Sequence, residues 1–146
     1  YLGIDPGRSK TGLALVNGAG KIVKLHITES QNIDNEIVEF IKNSCPVHIV
    51  LGNGTNSRNI GESVKRVLND VMVTVVEEAH STEEARTLYW QENPPKGLKK
   101  LIPLGMLVPL VPLDAYAAVI LVRRFLEDNY DKQCLRNYNR DFKTRY

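Results

Sequence analysis

Tyr1-Leu-Gly-Ile-Asp-Pro-Gly7, followed by Thr11-Gly-Leu-Ala-Leu-Val-Asn17, is the stretch that decides the fold. The first run is short and apolar and stops at Pro6-Gly7. The second resumes with Leu13 and Leu15 and stops before Gly18 and Gly20. Two such runs separated by turn residues predict a β-hairpin. Lys21 to Thr28 alternates Ile22, Leu25 and Ile27 imperfectly with polar residues and follows closely enough to be a third antiparallel strand. The sheet therefore opens as a meander. Gly7 allows a sharp turn after the first strand, which leaves Asp5 at the edge of the sheet.

Beyond the meander, Ile33 to Cys45 places Ile33, Ile37, Val38 and Ile41 at helical spacing, with Asn32 as a candidate cap and Pro46 as a stop. Val47 to Leu51 is a buried-strand run ending in Gly52-Asn53-Gly54. Asn59 to Asn69 carries Ile60, Val64, Val67 and Leu68 on one helical face, and Val71 to Val76 is a further strand ending in Glu77-Glu78. Ser81, with Glu84 three residues on, matches a capping box for a third helix to about Gln91, stopped by Asn93-Pro94-Pro95. Lys96 to Pro112 is irregular, and Asp114 opens a last helix through Glu127. A meander followed by alternating helix and strand predicts an α/β fold with a mixed five-stranded sheet flanked by helices.

A chain of 146 residues with 42% hydrophobic and 25% charged content is long enough for one self-sufficient core and unlike a disordered chain. No repeat or linker divides it, so one domain spans 1–146. Cys45 and Cys134 lie far apart and fit neither a disulfide framework nor a zinc-ligand cluster, so free thiols in a cytoplasmic setting are expected. The longest apolar stretch, Leu101 to Leu113, is broken by three prolines and is too short to span a bilayer. No signal-peptide pattern is visible, and no membrane partner is expected.

The net charge of +2 does not by itself announce nucleic acid, but its distribution is uneven. Lys96, Lys99 and Lys100 meet no acid between 96 and 113. The end of the chain from about 130 carries Lys132, Arg136, Arg140, Lys143 and Arg145 and reads as a basic tail, either solvated or set against a polyanion.

Acids stand at three points where elements end or begin. Asp5 closes the first strand, Glu77 and Glu78 follow the valine-rich strand, and Asp114 starts the last helix, whose Ala118, Leu121, Val122 and Phe125 mark a packed face. Mg²⁺ takes oxygen ligands and is commonly held by a few carboxylates plus substrate phosphate oxygens. Two such ions together activate water and stabilise a leaving oxygen. Taken singly, Asp114 also fits a helix cap and the glutamates fit solvated strand ends. Alternation sends Glu77 and Glu78 to opposite faces, so one of them belongs to any shared site.

Three segments resemble the YqgF/RuvX branch of the RuvC-like nucleases, within the ribonuclease-H-like superfamily. They are Tyr1–Gly7 with Thr11-Gly12, Val76-Glu-Glu-Ala-His-Ser-Thr82 with Glu84-Ala85, and Pro112-Leu-Asp-Ala-Tyr-Ala-Ala118. The resemblance implies a ribonuclease-H-like fold and metal-dependent hydrolysis of nucleic-acid phosphodiesters, either in ribosomal RNA precursor processing or at Holliday junctions. It implies Asp5, Glu78 and Asp114 as catalytic metal ligands, Mg²⁺ as cofactor with Mn²⁺ able to substitute, and structured RNA or branched DNA as partner. The family's arginine after the glutamate is replaced here by Ala79, and the further acid that RuvC carries on the closing helix by Ala117.

Other residues admit two readings each. Asn53, Thr55 and Arg58 precede a helix and suit either phosphate contact or a plain loop. Arg8 and Lys10 flank a hairpin tip, set either for a phosphate or for solvent. His80 suits proton transfer or a solvated helix start. Tyr89 and Trp90 suit base stacking or core packing. Lys96, Lys99 and Lys100 are candidate nucleic-acid contacts, and Leu104 to Leu113 a lid or a dimer surface, with a monomer or a homodimer both open. Two other classes compete with the nuclease: a non-catalytic nucleic-acid-binding module of the same fold, and a nucleotide-binding fragment of the actin-like type.

Overall fold

The expected runs form β1 (Leu2–Pro6), β2 (Lys10–Val16), β3 (Ile22–Glu29), β4 (His48–Gly52) and β5 (Met72–Val76), with helices α1 (Ile33–Ile41), α2 (Ser57–Val67), α3 (Ser81–Glu92) and α4 (Asp114–Arg145). This computed structural model describes residues 1–145, with side chains described except at positions 135, 137–139 and 141–145. The strands make one mixed sheet in the order β3-β2-β1-β4-β5. The meander is antiparallel, and β4 and β5 run parallel to β1.

Period-two alternation sorts the side chains to two faces. Leu2, Ile4, Leu13, Leu15, Ile49 and Leu51 point to one face and pack with Ile33, Ile37 and Phe40 of α1 and Ile60 and Val64 of α2. Leu2, Ile4, Leu13, Ile37 and Ile49 are wholly buried, each contributing about 1.5–3 kcal/mol. The other face carries smaller residues. Ala14, Val16 and Val50 meet Ala85 and Leu88 of α3 and the run Ala117–Val122 of α4.

Smallness there has a steric reason. A Cβ on Gly3 would overlap the Ala118 carbonyl oxygen and lie 2.8 Å from Val122 Cγ2, and one on Gly12 would overlap the backbone at Asp114. Helix α4 thus rests directly on the backbones of β1 and β2, and the register that pairs Asp5 with Gly12 puts the start of α4 beside the end of β1.

Several local expectations change. Helix α1 stops at Ile41 instead of Cys45, because the chain tightens into turns, with Ser44 N–H donating to the Ile41 carbonyl at 2.7 Å ahead of Pro46, whose predecessor is biased away from helix. Helix α2 begins two residues before Asn59. The Ser81 capping box does not form: His80 precedes α3 in the left-handed region (φ 62°) without a side-chain cap bond, and Ser81 is already helical and buried. Asn32 likewise precedes α1 without a cap bond. Helix α4 does not end at Glu127 but continues to Arg145, since nothing from Asp114 to Arg145 is glycine or proline. The basic segment from about 130 is therefore helical. Lys132, Arg136 and Arg140 are exposed on it, and the side chains of Lys143 and Arg145 lie outside the described residues.

Between α3 and α4, two 3₁₀ turns, Gly97–Leu101 and Leu104–Met106, interrupt the irregular stretch. Arg86 of α3 pins it by donating to the carbonyls of Gly105 (3.0 Å) and Leu107 (2.6 Å). Tyr89 is buried against Trp90 and Tyr116, which favours core packing for that aromatic pair. Cys45 and Cys134 are free and exposed. Among the described residues no helix is long and apolar enough to cross a membrane.

The contact of α4 with β1 gives a stability test. Gly3→Ala is expected to cost about 1–3 kcal/mol in urea unfolding through overpacking. Gly18→Ala, whose added Cβ meets nothing within 4 Å, is expected to stay within about 0.5 kcal/mol of the unsubstituted chain. Equal costs at the two positions would remove the steric account of the small-residue face.

Candidate functional site

Parity along the strands assigns the acids to faces. Asp5 follows Gly3 at an interval of two on β1, so it points to the α4 side. Glu78 follows Thr74 and Val76 in the same way, and Gly52 pairs with Val76. Glu78 rather than Glu77 therefore turns toward Asp5, and Asp114 arrives from above Gly12.

The Asp5 carboxyl is pushed up to about 7, first by burial, then by the negative charges of Glu78 and Asp114, and by a hydrogen bond with Glu78 that the protonated form makes. The three acids are thus neighbours. Glu78 is held in a slot that only glycines leave open, because a Cβ at Gly52 or Gly54 would overlap its carboxylate. Its Oε1 is buried and receives no hydrogen bond. A buried carboxylate oxygen with no hydrogen bond is satisfied by a proton or by a cation. Glu77, by contrast, is exposed and lines a separate groove of about 1070 Å³ between β5 and α4 that contains none of the three acids.

A smaller cavity of about 370 Å³ is lined by two of the acids, Asp5 and Asp114, with Thr82 and Ala117 and with Pro109, Val111 and Pro112 of the irregular segment; Glu78 does not line it. The segment from 96 to 113 thus supplies one wall of the site. Hard oxygen donors without a competing cation fit Mg²⁺ or Mn²⁺ in chemistry. Among the described residues no three His, Cys, Asp or Glu side chains are drawn together as a metal-binding group.

Surrounding hydrogen bonds fix the loops that bear the acids. Thr11 Oγ1 and Ser30 Oγ lie 2.8 Å apart, and Ser30 Oγ donates to the Gly7 carbonyl at 2.8 Å, as does Asn56 Nδ2 at 3.0 Å. The turn after Asp5 is therefore tied to β3 and to the loop before α2.

The other candidates fare differently. Asn53 proves to be structural support for an acid: its Oδ1 accepts from the Glu78 N–H at 3.0 Å, and its own N–H donates to the Val76 carbonyl at 3.0 Å. Thr55 is exposed, and Arg58, with a side chain 91% exposed, pairs at 3.6 Å with Glu62 on its own helix. Arg8, Lys10, Lys96, Lys99 and Lys100 are exposed around the loops. His80 lies 3.6 Å from Glu83 and is largely exposed.

Reading the sequence alone overlooked Gly52 and Gly54 as the slot for Glu78, Thr82 as a wall of the small cavity, and Arg124, described below. The two glycines carried a signal, since a Gly-x-Gly after a buried strand marks a close approach by something; what approaches is set only by the packing.

The sign of the Asp5 effect yields a measurement. Its carboxyl, ordinarily near 3.8, holds a proton in the folded state up to about 7, so between those values the folded chain binds more protons than the unfolded one. Stability then falls as pH rises through that window and is lowest above it. In a metal chelator, Asp5→Asn is expected to be more stable than the unsubstituted chain at pH 8, by an amount on the order of 3 kcal/mol, with the difference shrinking toward pH 4. Urea-unfolding curves whose difference is independent of pH would contradict the burial of Asp5 beside two like charges.

No protein-family model matches the chain, and no curated protein matches it.

Proposed function

We propose that the chain is a metal-dependent nuclease of the ribonuclease-H-like fold, hydrolysing phosphodiesters of structured RNA or branched DNA. The reading is carried by Asp5 and Asp114 lining one cavity and by the Glu78 carboxylate lying near enough to bear on Asp5, with one Glu78 oxygen buried and without a hydrogen bond. The strand order and the resemblance of the three motifs to RuvC-like nucleases support it.

Asp5, Glu78 and Asp114 would hold Mg²⁺, with Mn²⁺ as a substitute. Bound there, a pair of such ions would supply an activated water and charge neutralisation at the scissile phosphate. Asp5 must be ionised to serve, and a cation beside it would bring its carboxyl back down from about 7. Glu78, confined by Gly52 and Gly54, presents its carboxylate in a fixed direction, and Thr82 stands with Asp5 and Asp114 around the small cavity. Arg8 and Lys10 stand at the tip of the β1–β2 turn, and Lys96, Lys99 and Lys100 on the segment that walls the cavity, where each can meet a phosphate.

One observation favours a second reading, a nucleic-acid-binding module of the same fold without catalysis. Ala79 stands where the resemblance calls for an arginine, and the substitutes the sequence offers, Arg58 and His80, are exposed and paired with Glu62 and Glu83.

Purified protein with Mg²⁺ or Mn²⁺, incubated with single-stranded RNA, structured RNA precursors and four-way DNA junctions, separates the two. Cleavage of at least one substrate is expected, falling to background in Asp5→Asn, Glu78→Gln and Asp114→Asn and unchanged in Glu77→Gln. Binding without cleavage selects the module, and cleavage by Asp5→Asn at the unsubstituted rate removes the site assignment.

A further inference from the structure

Beyond β5 the chain passes from Glu77 through the left-handed His80 into α3, and such a turn leaves carbonyls facing outward. The Glu78 carbonyl accepts from Ser81 N–H at 2.9 Å. Those of Glu77 and Ala79, on either side of it, are both taken by Arg124 of α4, whose Nη1 donates to Glu77 and Nη2 to Ala79, each at 2.7 Å. Nη2 also pairs with Glu84 Oε1 at 2.7 Å, and the Arg124 side chain is only 23% exposed. A planar guanidinium can bridge two carbonyls and a carboxylate in this way, and neither lysine nor glutamine reproduces the fork.

We infer that Arg124 is a positioning residue for Glu78: by clamping the carbonyls before and after it, the guanidinium fixes the backbone from which the Glu78 carboxylate reaches Asp5. Asn53 grips the same residue from the opposite side through its N–H, and the slot of Gly52 and Gly54 leaves the side chain no alternative course. Arg124 lies ten residues beyond Asp114 on one helix, about 15 Å along its axis. A single rigid element therefore carries one acid and locates a second. The importance of this for metal binding rests on the nuclease reading, whereas the clamp itself does not.

Two measurements on the full chain test it, with Arg123→Gln as control, because Arg123 carries the same charge on the adjacent position and bonds instead to the Gly20 carbonyl at 2.9 Å. In metal-free protein, Arg124→Gln is expected to speed amide hydrogen exchange at Glu78 and Ser81 roughly tenfold or more, with exchange in β1 and β2 unchanged. In Mn²⁺ titrations followed by electron paramagnetic resonance, it is expected to weaken binding about 10–100-fold, the usual consequence of losing a group that orients a ligand. Arg124→Lys should recover part of both effects and serves in place of the glutamine variant if that chain fails to fold. Exchange at Glu78 and Ser81 indistinguishable from Arg123→Gln overturns the clamp, and faster exchange with unaltered Mn²⁺ affinity overturns its role in the site. If the unsubstituted chain takes up no Mn²⁺, the three-acid metal reading fails, and the clamp is then judged by exchange alone.

Discussion

Helix α4 lies on the bare backbone of β1 and β2, and most of what distinguishes this molecule depends on that contact. Glycine at 3 and 12 lets the helix descend until its carbonyls touch the strands. A larger residue at either position would lift the helix, and with it Asp114, away from Asp5. The opposite face of the sheet has no such requirement. Leucine, isoleucine and phenylalanine fill it, and its helices α1 and α2 stand off at ordinary side-chain distance. One face of the sheet supplies burial, and the other supplies proximity.

Proximity has an electrostatic cost that the packing must carry. Two acids crowd the half-buried Asp5, and among the described residues no base acts on it to offset them; Arg124 is occupied by backbone carbonyls and Glu84. Groups arranged against their own solvation characterise sites built for a ligand rather than for stability. The hydrogen bonds of Ser30, Asn53 and Asn56 around the acids' loops keep this arrangement from relaxing.

How much of this was legible in the sequence depended on the range of the interaction concerned. The hairpin of β1 and β2 and the alternation of β5 are local patterns, and apolar runs bounded by Gly7, Gly18 and Gly52 displayed them directly. Asp5 and Asp114 stood out because each sits at the boundary of a strongly patterned element. The choice of Glu78 over Glu77 required the face on which α4 packs, which no window of sequence contains. Ser81 misled because a serine three residues before a glutamate looks like a cap, whereas the turn at His80 starts the helix a residue earlier and buries the serine. Asn53 suited either phosphate or a plain loop from sequence, and its bond to the Glu78 amide depends on what folds against it. The length of α4 was in plain view as an absence of glycine and proline, and was missed because the apolar stripe fades after Leu126.

The order of elements along the chain also bears on how the site comes into being. Along the chain Asp5 precedes Glu78, and Asp114 and Arg124 follow both on the helix that closes the sheet. During synthesis from the amino terminus, the meander and the α1/α2 face can assemble while the acids remain apart, hydrated and ionised. Asp5 and Glu78 meet as β5 joins the sheet beside β4, and Asp114 adds its charge as α4 docks. Completion of the acid cluster thus waits on the docking of α4, and a cation available at that moment would act on the docking step itself.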